Sequence, residues 1–408
     1  MNSKVSLKSF FLTLSSLLDI GNSELVYHQI KTAFIAWRLG LELKLNDEQM
    51  NSLLIASLVH DIGAISLEEK IHLKHSVSDV ENNHTFKGWY ILKQVPNFEN
   101  ISEAVKYHHT SYKILNDNQI LAQIINLSDK IEKLIISNVP ILEQTKHILN
   151  TIKLDEDLHP MLIDSVLKIG GVEKYWLDLS NKNILSFFEK APIDSSELSE
   201  KMLLSLSFLI KDIIDFKSPF TVSHSLGVMH CSSYLAKKEG VSSESLKEFA
   251  IAGLLHDVGK LTVPNSIIMK EGALTARERA TMSQHSYYTY RFLKDAKYSK
   301  EICLSAACHH ERLDGSGYPF KFESNKIGLL QRIMAVCDVF VALFEDRPYR
   351  KGLSRVSIEH IMYNLSPQKL DKYLVDKLLE NYHSLNIELR EINNINNARY
   401  AEIQQINL

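Results

Sequence analysis

The chain has 408 residues, of which 45% are hydrophobic and 23% are charged. This length predicts two to three domains, and this composition excludes a wholly disordered chain, a collagen-like chain and a small disulfide-held fold. Because 46 basic residues face 49 acidic ones, for a net charge of −3, we do not expect the protein to coat polymeric nucleic acid.

The chain begins with an apolar segment, KSFFLTLSSLLDI at 8–20, that faintly resembles a signal peptide. No small-residue cleavage site follows it, so we assign it to a helix of the first domain. The longest stretch without Lys, Arg, Asp or Glu is 218–236, and its Pro, Gly, His and Ser content excludes a membrane span. With no CxxC spacing, the four cysteines predict reduced core thiols in a cytoplasmic protein; they are Cys231, Cys303, Cys308 and Cys337.

Apolar residues at helical spacing dominate the second half of the chain. Thr275 is a candidate N-cap, and no period-2 series predicts a strand. The clearest helical segments are 245–260, 275–294, 300–310 and 329–344. The sequence therefore predicts an all-α fold, a class in which several helices project metal ligands inward.

Histidines and aspartates recur in two copies. The first set is His28, His60, Asp61, His84, His108, His109 and Asp129, and the second is His224, His256, Asp257, His285, His309, His310 and Asp338. The offset between the copies is 196, then 201, then 209 residues, and such small steps are typical of loop insertions. We predict a tandem duplication with domains at 1–190 and 201–408, joined by a Pro- and Ser-containing linker at 191–200.

The second set predicts a metal centre. Imidazole and carboxylate together suit transition metals rather than Ca²⁺ or Mg²⁺ alone, and seven candidates exceed the needs of one tetrahedral zinc. A pair of metals bridged by Asp257 would use them and would activate a bridging hydroxide. A lone histidine on an apolar helix is more often a satisfied core residue, but adjacent His-Asp and His-His pairs are costly to bury without a partner.

Four motifs in the second half carry a family resemblance. They are HS at 224–225, HDVGK at 256–260, HHERLDGSGYP at 309–319 and DRPYRK at 346–351. These resemble the HD-GYP subfamily of HD-domain phosphohydrolases over about 200–360, and the eleven-residue run is the most specific of them. The first half resembles a plain HD domain without the GYP segment. The resemblance implies two tandem HD-type helical domains, a metal centre and hydrolysis of cyclic di-GMP.

The resemblance also implies residue roles. The seven residues of the second set match the metal ligands, for two divalent ions with Fe or Mn preferred over Zn, Co or Ni. Lys260 matches a lysine beside the scissile phosphate, where it would act with Asp257 in catalysis. Gly317 and Tyr318 match a substrate-side lip, and Arg347 and Arg350 match nucleotide contacts. Plainer alternatives are a solvated lysine, a surface turn and solvated arginines.

The chain departs from the family pattern at several positions. Phe220 replaces a glutamate that allows a third metal, so we favour two ions. Gly227 replaces a common arginine, and Val341 replaces an acidic residue that commonly follows the last ligand. These changes leave the choice between cyclic di-GMP and the hybrid 3'3'-cyclic GMP-AMP open.

The first half keeps the ligand types but lacks other parts. Glu24 occupies the third-metal position, Ala64 replaces the lysine, and Thr110, Ser111 and Tyr112 follow the last histidine pair without a GYP segment. We predict a non-catalytic domain that regulates or dimerises. Whether it holds a second metal site stays open, the alternative being a packing module.

The overall prediction is a metal-dependent phosphodiesterase that converts cyclic di-GMP to linear pGpG and further to GMP. Its partners would be the cyclic dinucleotide and a second copy or a signalling protein, with no membrane. Two alternatives rank lower: a non-catalytic nucleotide-sensing scaffold, and an HD phosphohydrolase that acts on nucleoside phosphates.

Overall fold

The computed structural model describes residues 3–20, 27–64, 69, 73, 83–115, 119–217, 222–346 and 350–405. They divide into two compact units. One is Ser6–Ser196, and the other runs from Glu197 onwards and includes residues 3–5. Within the second unit the Lys4 amide donates to the Lys297 carbonyl at 2.9 Å, and the Leu198 amide donates to the Val5 carbonyl at 2.8 Å.

The N-terminal unit is built from helices. They are α1 (Leu7–Asp19), α2 (His28–Glu42), α3 (Asp47–Leu58), α4 (Asn83–Leu92), α5 (Glu99–Tyr107), α6 (Ile120–Lys133), α7 (Ile141–Lys153), α8 (Pro160–Gly170) and α9 (Glu173–Leu179), followed by a 3₁₀ helix at Ile184–Lys190. The helices after α6 occupy the segment that has no counterpart in the repeated motif.

The C-terminal unit repeats this plan. Its helices are α10 (Glu200–Asp215), α11 (His224–Lys238), α12 (Ser243–Leu255), α13 (Asn265–Ile268), α14 (Ala276–Asp295), α15 (Lys300–Ala307), α16 (Leu329–Phe344), α17 (Arg355–Leu365), α18 (Lys372–Glu380) and α19 (Tyr382–Gln405), with 3₁₀ helices at Val258–Thr262 and Ser324–Lys326. Both α2 and α11 are 15 residues long and begin at the first histidine of their set.

The all-α prediction is confirmed. The described residues contain one isolated β-bridge, between Asp314 and Glu323, and no named strand. Thr275 caps α14 through a capping box with Glu278, as its position predicts. No helix within the described ranges combines the length and apolar content of a membrane span. All four cysteines are buried free thiols, which agrees with their predicted place in the core.

One predicted helix ends early. The segment 245–260 stops being α-helical at Leu255, and a 3₁₀ helix follows from Val258. The Thr289 hydroxyl of α14 donates to the His256 carbonyl and accepts from the Gly259 amide, both at 3.0 Å. These long-range bonds replace the helical hydrogen bonds, and they turn the chain where His256 and Asp257 lie.

We expect Gly259→Ala to destabilise the C-terminal unit by about 2–3 kcal/mol, because overpacking by one methyl displaces backbone. A Cβ at this position would lie 1.9 Å from the His285 carbonyl oxygen. Chemical denaturation of the full chain measures the change. Gly171→Ala is the control, since its Cβ would find its nearest contact at 3.4 Å. An equal loss in both variants would contradict the packing argument.

Candidate metal centres

Five helices bring the second set of histidines and aspartates together. His224 begins α11, His256 caps α12 with Asp257 behind it, His285 lies in α14, His309 and His310 follow α15, and Asp338 lies in α16. Six of the seven are buried, and only the His310 side chain is partly open, at 24% exposure. Residues up to 114 positions apart in sequence thus meet in one buried site.

The ligand atoms form two groups. His224, His256 and Asp338 make one group, and His285, His309 and His310 make the other, each with its ligand atoms within 4.8 Å of one another. The two groups lie on either side of a single carboxylate, that of Asp257.

Asp257 joins the two groups through its separate oxygens. Its Oδ2 lies 3.8 Å from His224 Nε2 and 3.3 Å from His256 Nε2. Its Oδ1 lies 3.5 Å from His285 Nε2 and 3.8 Å from His309 Nε2. This is the arrangement of a carboxylate that bridges two cations.

Backbone carbonyls orient the imidazoles. The Nδ1 atoms of His256, His285 and His309 donate to the carbonyls three residues earlier, at 2.8, 2.7 and 2.6 Å. This fixes the tautomer that leaves each Nε2 lone pair facing the centre. His256 Nε2 is buried and makes no hydrogen bond. A divalent cation would satisfy that nitrogen, so the residues fit a metal site.

The charge states suit metal binding. Burial lowers the pKa of His285 to about 4 and that of His309 to about 3, so both rings are neutral at neutral pH. Burial alone would raise the pKa of Asp257, but Lys260 and His256 hold it well below its usual range. The site therefore offers at least two neutral imidazoles and the ionised carboxylate of Asp257, the protonation states that a metal needs.

Lys260 lies at the edge of the centre. Its Nζ contacts Asp257 Oδ2 at 2.6 Å, and its side chain is 17% exposed. The ammonium group therefore pairs with the carboxylate that lies between the two ligand groups and keeps a small opening to solvent.

A rigid lip borders the more open side. Tyr318, which precedes a cis peptide bond to Pro319, has its ring centroid 4.8 Å from that of His310. The buried Glu311 carboxylate accepts from the Phe320 and Phe322 amides at 2.7 and 2.9 Å. These bonds hold the segment after Pro319 against the residues that follow the histidine pair.

Gly317 allows the lip to lie close to the backbone beneath it. A Cβ there would lie 2.5 Å from the Arg312 amide nitrogen and 2.6 Å from the His310 carbonyl oxygen. If the implied hydrolysis of cyclic di-GMP takes place here, we expect Gly317→Ala to lower its kcat/KM about tenfold, because the added methyl displaces Tyr318. The metal content should stay unchanged. Steady-state kinetics and metal analysis check this, with exposed Ser316→Ala as the control. Loss of metal in Gly317→Ala would assign the residue to the metal centre instead.

The structure describes one of the two predicted arginines, Arg350. Arg350 donates to the carbonyls of Ala342, Leu343, Glu345 and Lys351 at 2.6–3.3 Å, so its guanidinium caps the end of α16. Its nucleotide contact stays a prediction. Arg347 lies outside the described residues, as does Phe220.

Sequence reasoning missed Glu345. Its Oε2 accepts from His224 Nδ1 at 3.0 Å and its Oε1 accepts from the Ser223 hydroxyl at 3.1 Å. At the position where the family pattern has an acidic residue, this chain has Val341. The structure supplies that carboxylate from four residues later, where α16 has ended.

The N-terminal unit contains a second centre of the same form. One group is His28, His60 and Asp129, and the other is Asp61, His84, His108 and His109. Asp61 again divides its oxygens, with Oδ2 at 3.4 Å from His28 Nε2 and from His60 Nε2, and Oδ1 at 3.5 Å from His84 Nε2. His60 Nε2 and His108 Nε2 are buried without a hydrogen bond, so this centre also fits metal.

The two centres differ in the residues that surround their candidate ligands. Ala64 lies where the other unit has Lys260, and Glu132 of α6 accepts from His28 Nδ1 at 2.5 Å. Lys133 Nζ contacts Asp129 Oδ2 at 2.7 Å. Glu24, the residue at the third-metal position, lies outside the described residues.

Comparisons with known proteins agree with two related domains. Models of the HD domain match residues 25–134 and 209–373. The chain is 27% identical over 405 residues, 94% of each protein, to 3'3'-cGAMP-specific phosphodiesterase 1 of Vibrio cholerae. Over 134 residues, 33% of this chain and 32% of the relative, it is 40% identical to a cyclic di-GMP phosphodiesterase of Pseudomonas aeruginosa.

A solved structure establishes the likeness of fold. The crystal structure of a cyclic GMP-AMP-specific phosphodiesterase of V. cholerae, V-cGAP3, superimposes with a TM-score of 0.63. It is 20% identical in sequence, and the match covers 93% of this chain and 98% of that one.

Proposed function

Because the chain belongs to the HD-domain family, with one HD domain in each half, we propose that its C-terminal domain is a metal-dependent phosphodiesterase for cyclic di-GMP. Hydrolysis adds one water across a phosphodiester bond and opens the ring to linear pGpG. A second addition yields GMP. The chain acts on the dinucleotide in the cytoplasm through this domain, while the N-terminal domain regulates or dimerises.

One observation carries the proposal: Asp257 presents one oxygen to each of two buried ligand groups. Seven residues would hold two divalent ions, namely His224, His256, Asp257, His285, His309, His310 and Asp338. When bound, such ions supply Lewis-acid activation of water and of the phosphate. Fe and Mn are the metals we favour, since imidazole and carboxylate ligands suit both.

The protein's own side chains position the phosphodiester. Lys260, with its ammonium 2.6 Å from Asp257, offsets the charge that develops on the phosphate oxygens. Tyr318 covers His310 and forms the wall beside the more open ligand group. The carbonyl-bound imidazoles hold their rings in place before substrate arrives, which lowers the reorganisation needed during the reaction.

The hybrid 3'3'-cyclic GMP-AMP is the second candidate substrate. The observation that favours it is the match over 94% of both chains to a V. cholerae relative named for that activity. The chain also matches cyclic di-GMP phosphodiesterases, but over shorter parts of its length. The two substrates differ in one base, and both carry the phosphodiester that the metal centre would engage.

A substrate panel tests the proposal. Full-length protein loaded with Mn²⁺ or Fe²⁺ is given cyclic di-GMP, 3'3'-cyclic GMP-AMP, cyclic di-AMP and nucleoside monophosphates, and products are separated by chromatography. We expect pGpG from cyclic di-GMP, with kcat/KM at least tenfold above that for cyclic di-AMP. Tight binding without products at full metal loading would indicate a sensing scaffold. Turnover of mononucleotides alone would indicate another HD phosphohydrolase.

A further inference from the structure

Among the described residues, each unit places one lysine against a ligand carboxylate, but at a different position in the sequence. In the C-terminal unit it is Lys260, at the position of Ala64 in the first copy. In the N-terminal unit it is Lys133, one helical turn after Asp129 and at the position of Ala342 in the second copy. At each of the two positions, one unit has lysine where the other has alanine.

The two lysines lie equally close to a carboxylate and are equally exposed. Lys133 Nζ lies 2.7 Å from Asp129 Oδ2, and Lys260 Nζ lies 2.6 Å from Asp257 Oδ2. Each side chain is 17% exposed. Both ammonium groups therefore contact a ligand carboxylate on their inner side and keep a small opening to solvent.

The partner oxygen in the N-terminal unit is not the one that faces its histidines. Asp129 Oδ1 lies 3.5 Å from His28 Nε2 and 3.6 Å from His60 Nε2, while Oδ2 is the oxygen that Lys133 contacts. Lys133 can stay on Oδ2 while Oδ1 binds a cation. The lysine and a metal are therefore compatible in one centre.

Charge in this centre favours an anionic ligand once metal is present. Among the described residues, the carboxylates around it are those of Asp61, Asp129 and Glu132, and Lys31 Nζ approaches Glu132 Oε1 at 3.9 Å. Two divalent cations alone exceed the charge of three carboxylates, and Lys31 and Lys133 add to that excess. A tetrahedral phosphate, with several negative oxygens, matches such a site.

We propose that the metal-loaded N-terminal centre is a phosphate-binding site, with Lys133 as its phosphate-contacting cation. Its ligand class is a phosphate-bearing small molecule, either inorganic phosphate or the terminal phosphate of a nucleotide. The site binds this group whether or not the C-terminal domain hydrolyses cyclic dinucleotides.

Phosphate binding to the full chain tests this directly. In an Asp257→Asn background, which removes the C-terminal metals, Mn²⁺-loaded protein is titrated with inorganic phosphate and, separately, with GMP. Line broadening of the ³¹P resonance by bound Mn²⁺ reports phosphate at the metal, and calorimetry gives the affinity. We expect broadening in this background and at least tenfold weaker binding in Lys133→Ala, with Mn²⁺ content unchanged. Preference for GMP over inorganic phosphate would identify a nucleotide as the ligand.

Two variants complete the design. Lys133→Arg keeps the cation and should retain phosphate binding. Lys130→Ala is the matched control, because Lys130 lies on the same helix as Lys133 but pairs with Asp155 at 2.7 Å. This variant should bind phosphate as the parent does. Equal phosphate affinity in Lys133→Ala, loss of Mn²⁺ from that variant, or no Mn²⁺ in the folded background would each overturn the proposal. If Asp257→Asn does not fold, the number of phosphates bound per chain is measured without that substitution. We then expect two phosphates per unaltered chain and one per Lys133→Ala chain.

Discussion

Asp257→Asn is expected to lower cyclic dinucleotide turnover at least a thousandfold. The amide keeps one acceptor oxygen, so it cannot bridge two cations, and removing a residue shared by both ions disrupts the whole centre. Metal analysis should show the loss of the two C-terminal ions, while circular dichroism keeps its helical signal. Product formation, followed by chromatography at saturating Mn²⁺, measures the fall in kcat.

Asp61→Asn is the matched control for this prediction. Asp61 makes the same two-sided contacts in the N-terminal unit, so the substitution is equally disruptive locally. We expect turnover to persist and only the N-terminal metal to be lost. Abolished turnover with the C-terminal metals retained would show that the N-terminal domain takes part in catalysis. Retained turnover in Asp257→Asn would remove the proposed centre.

The sequence repeat predicted most of the two centres. Because the same residue types recur at nearly constant offsets, their convergence could be inferred without coordinates, and both sets do converge. The helix at 329–344 also follows from the apolar pattern, which only Gln331, Arg332 and Asp338 interrupt, and the predicted bounds are the observed ones. Strong apolar periodicity and adjacent polar pairs are local features of a sequence, so they can be recognised without knowledge of the tertiary structure.

Other features depend on tertiary contacts that a sequence does not display. The end of α12 at Leu255 is set by Thr289, which lies 30 residues beyond Gly259. Arg350 belongs to a motif that implies a nucleotide contact, yet its hydrogen bonds go to the carbonyls at the end of α16. Only the path of the chain after that helix decides which groups it meets.

Glu345 is a residue of the site whose role likewise depends on tertiary contacts and could not be predicted from the sequence. In the N-terminal unit the carboxylate on the first histidine is Glu132, three residues after the last ligand. The matching C-terminal position is Val341, whose Cγ1 would lie 2.9 Å from a Cβ at Gly227. Gly227 in turn matches Lys31, the partner of Glu132. Where the N-terminal unit has a pair of charges, the C-terminal unit has a valine beside a glycine, and its carboxylate comes from Glu345.

Glu345→Ala is expected to weaken metal affinity and lower kcat by about 10- to 100-fold, the usual effect of losing the outer partner of a metal-ligating histidine. The carboxylate accepts from His224 Nδ1, so its removal frees the ring to rotate and to change tautomer. Mn²⁺ titration and steady-state kinetics measure the two effects. Excess Mn²⁺ should restore part of kcat, which a general loss of folding would not allow.

Two further variants separate orientation from packing. Ser223→Ala removes the bond to Oε1 but leaves the carboxylate on His224, and we expect a change in Mn²⁺ affinity below about threefold. Val341→Glu added to Glu345→Ala returns an acidic group to the position that Glu132 occupies in the first copy, and should recover Mn²⁺ affinity. If Ser223→Ala matches Glu345→Ala, or if Glu345→Ala keeps full Mn²⁺ affinity, the carboxylate does not position His224.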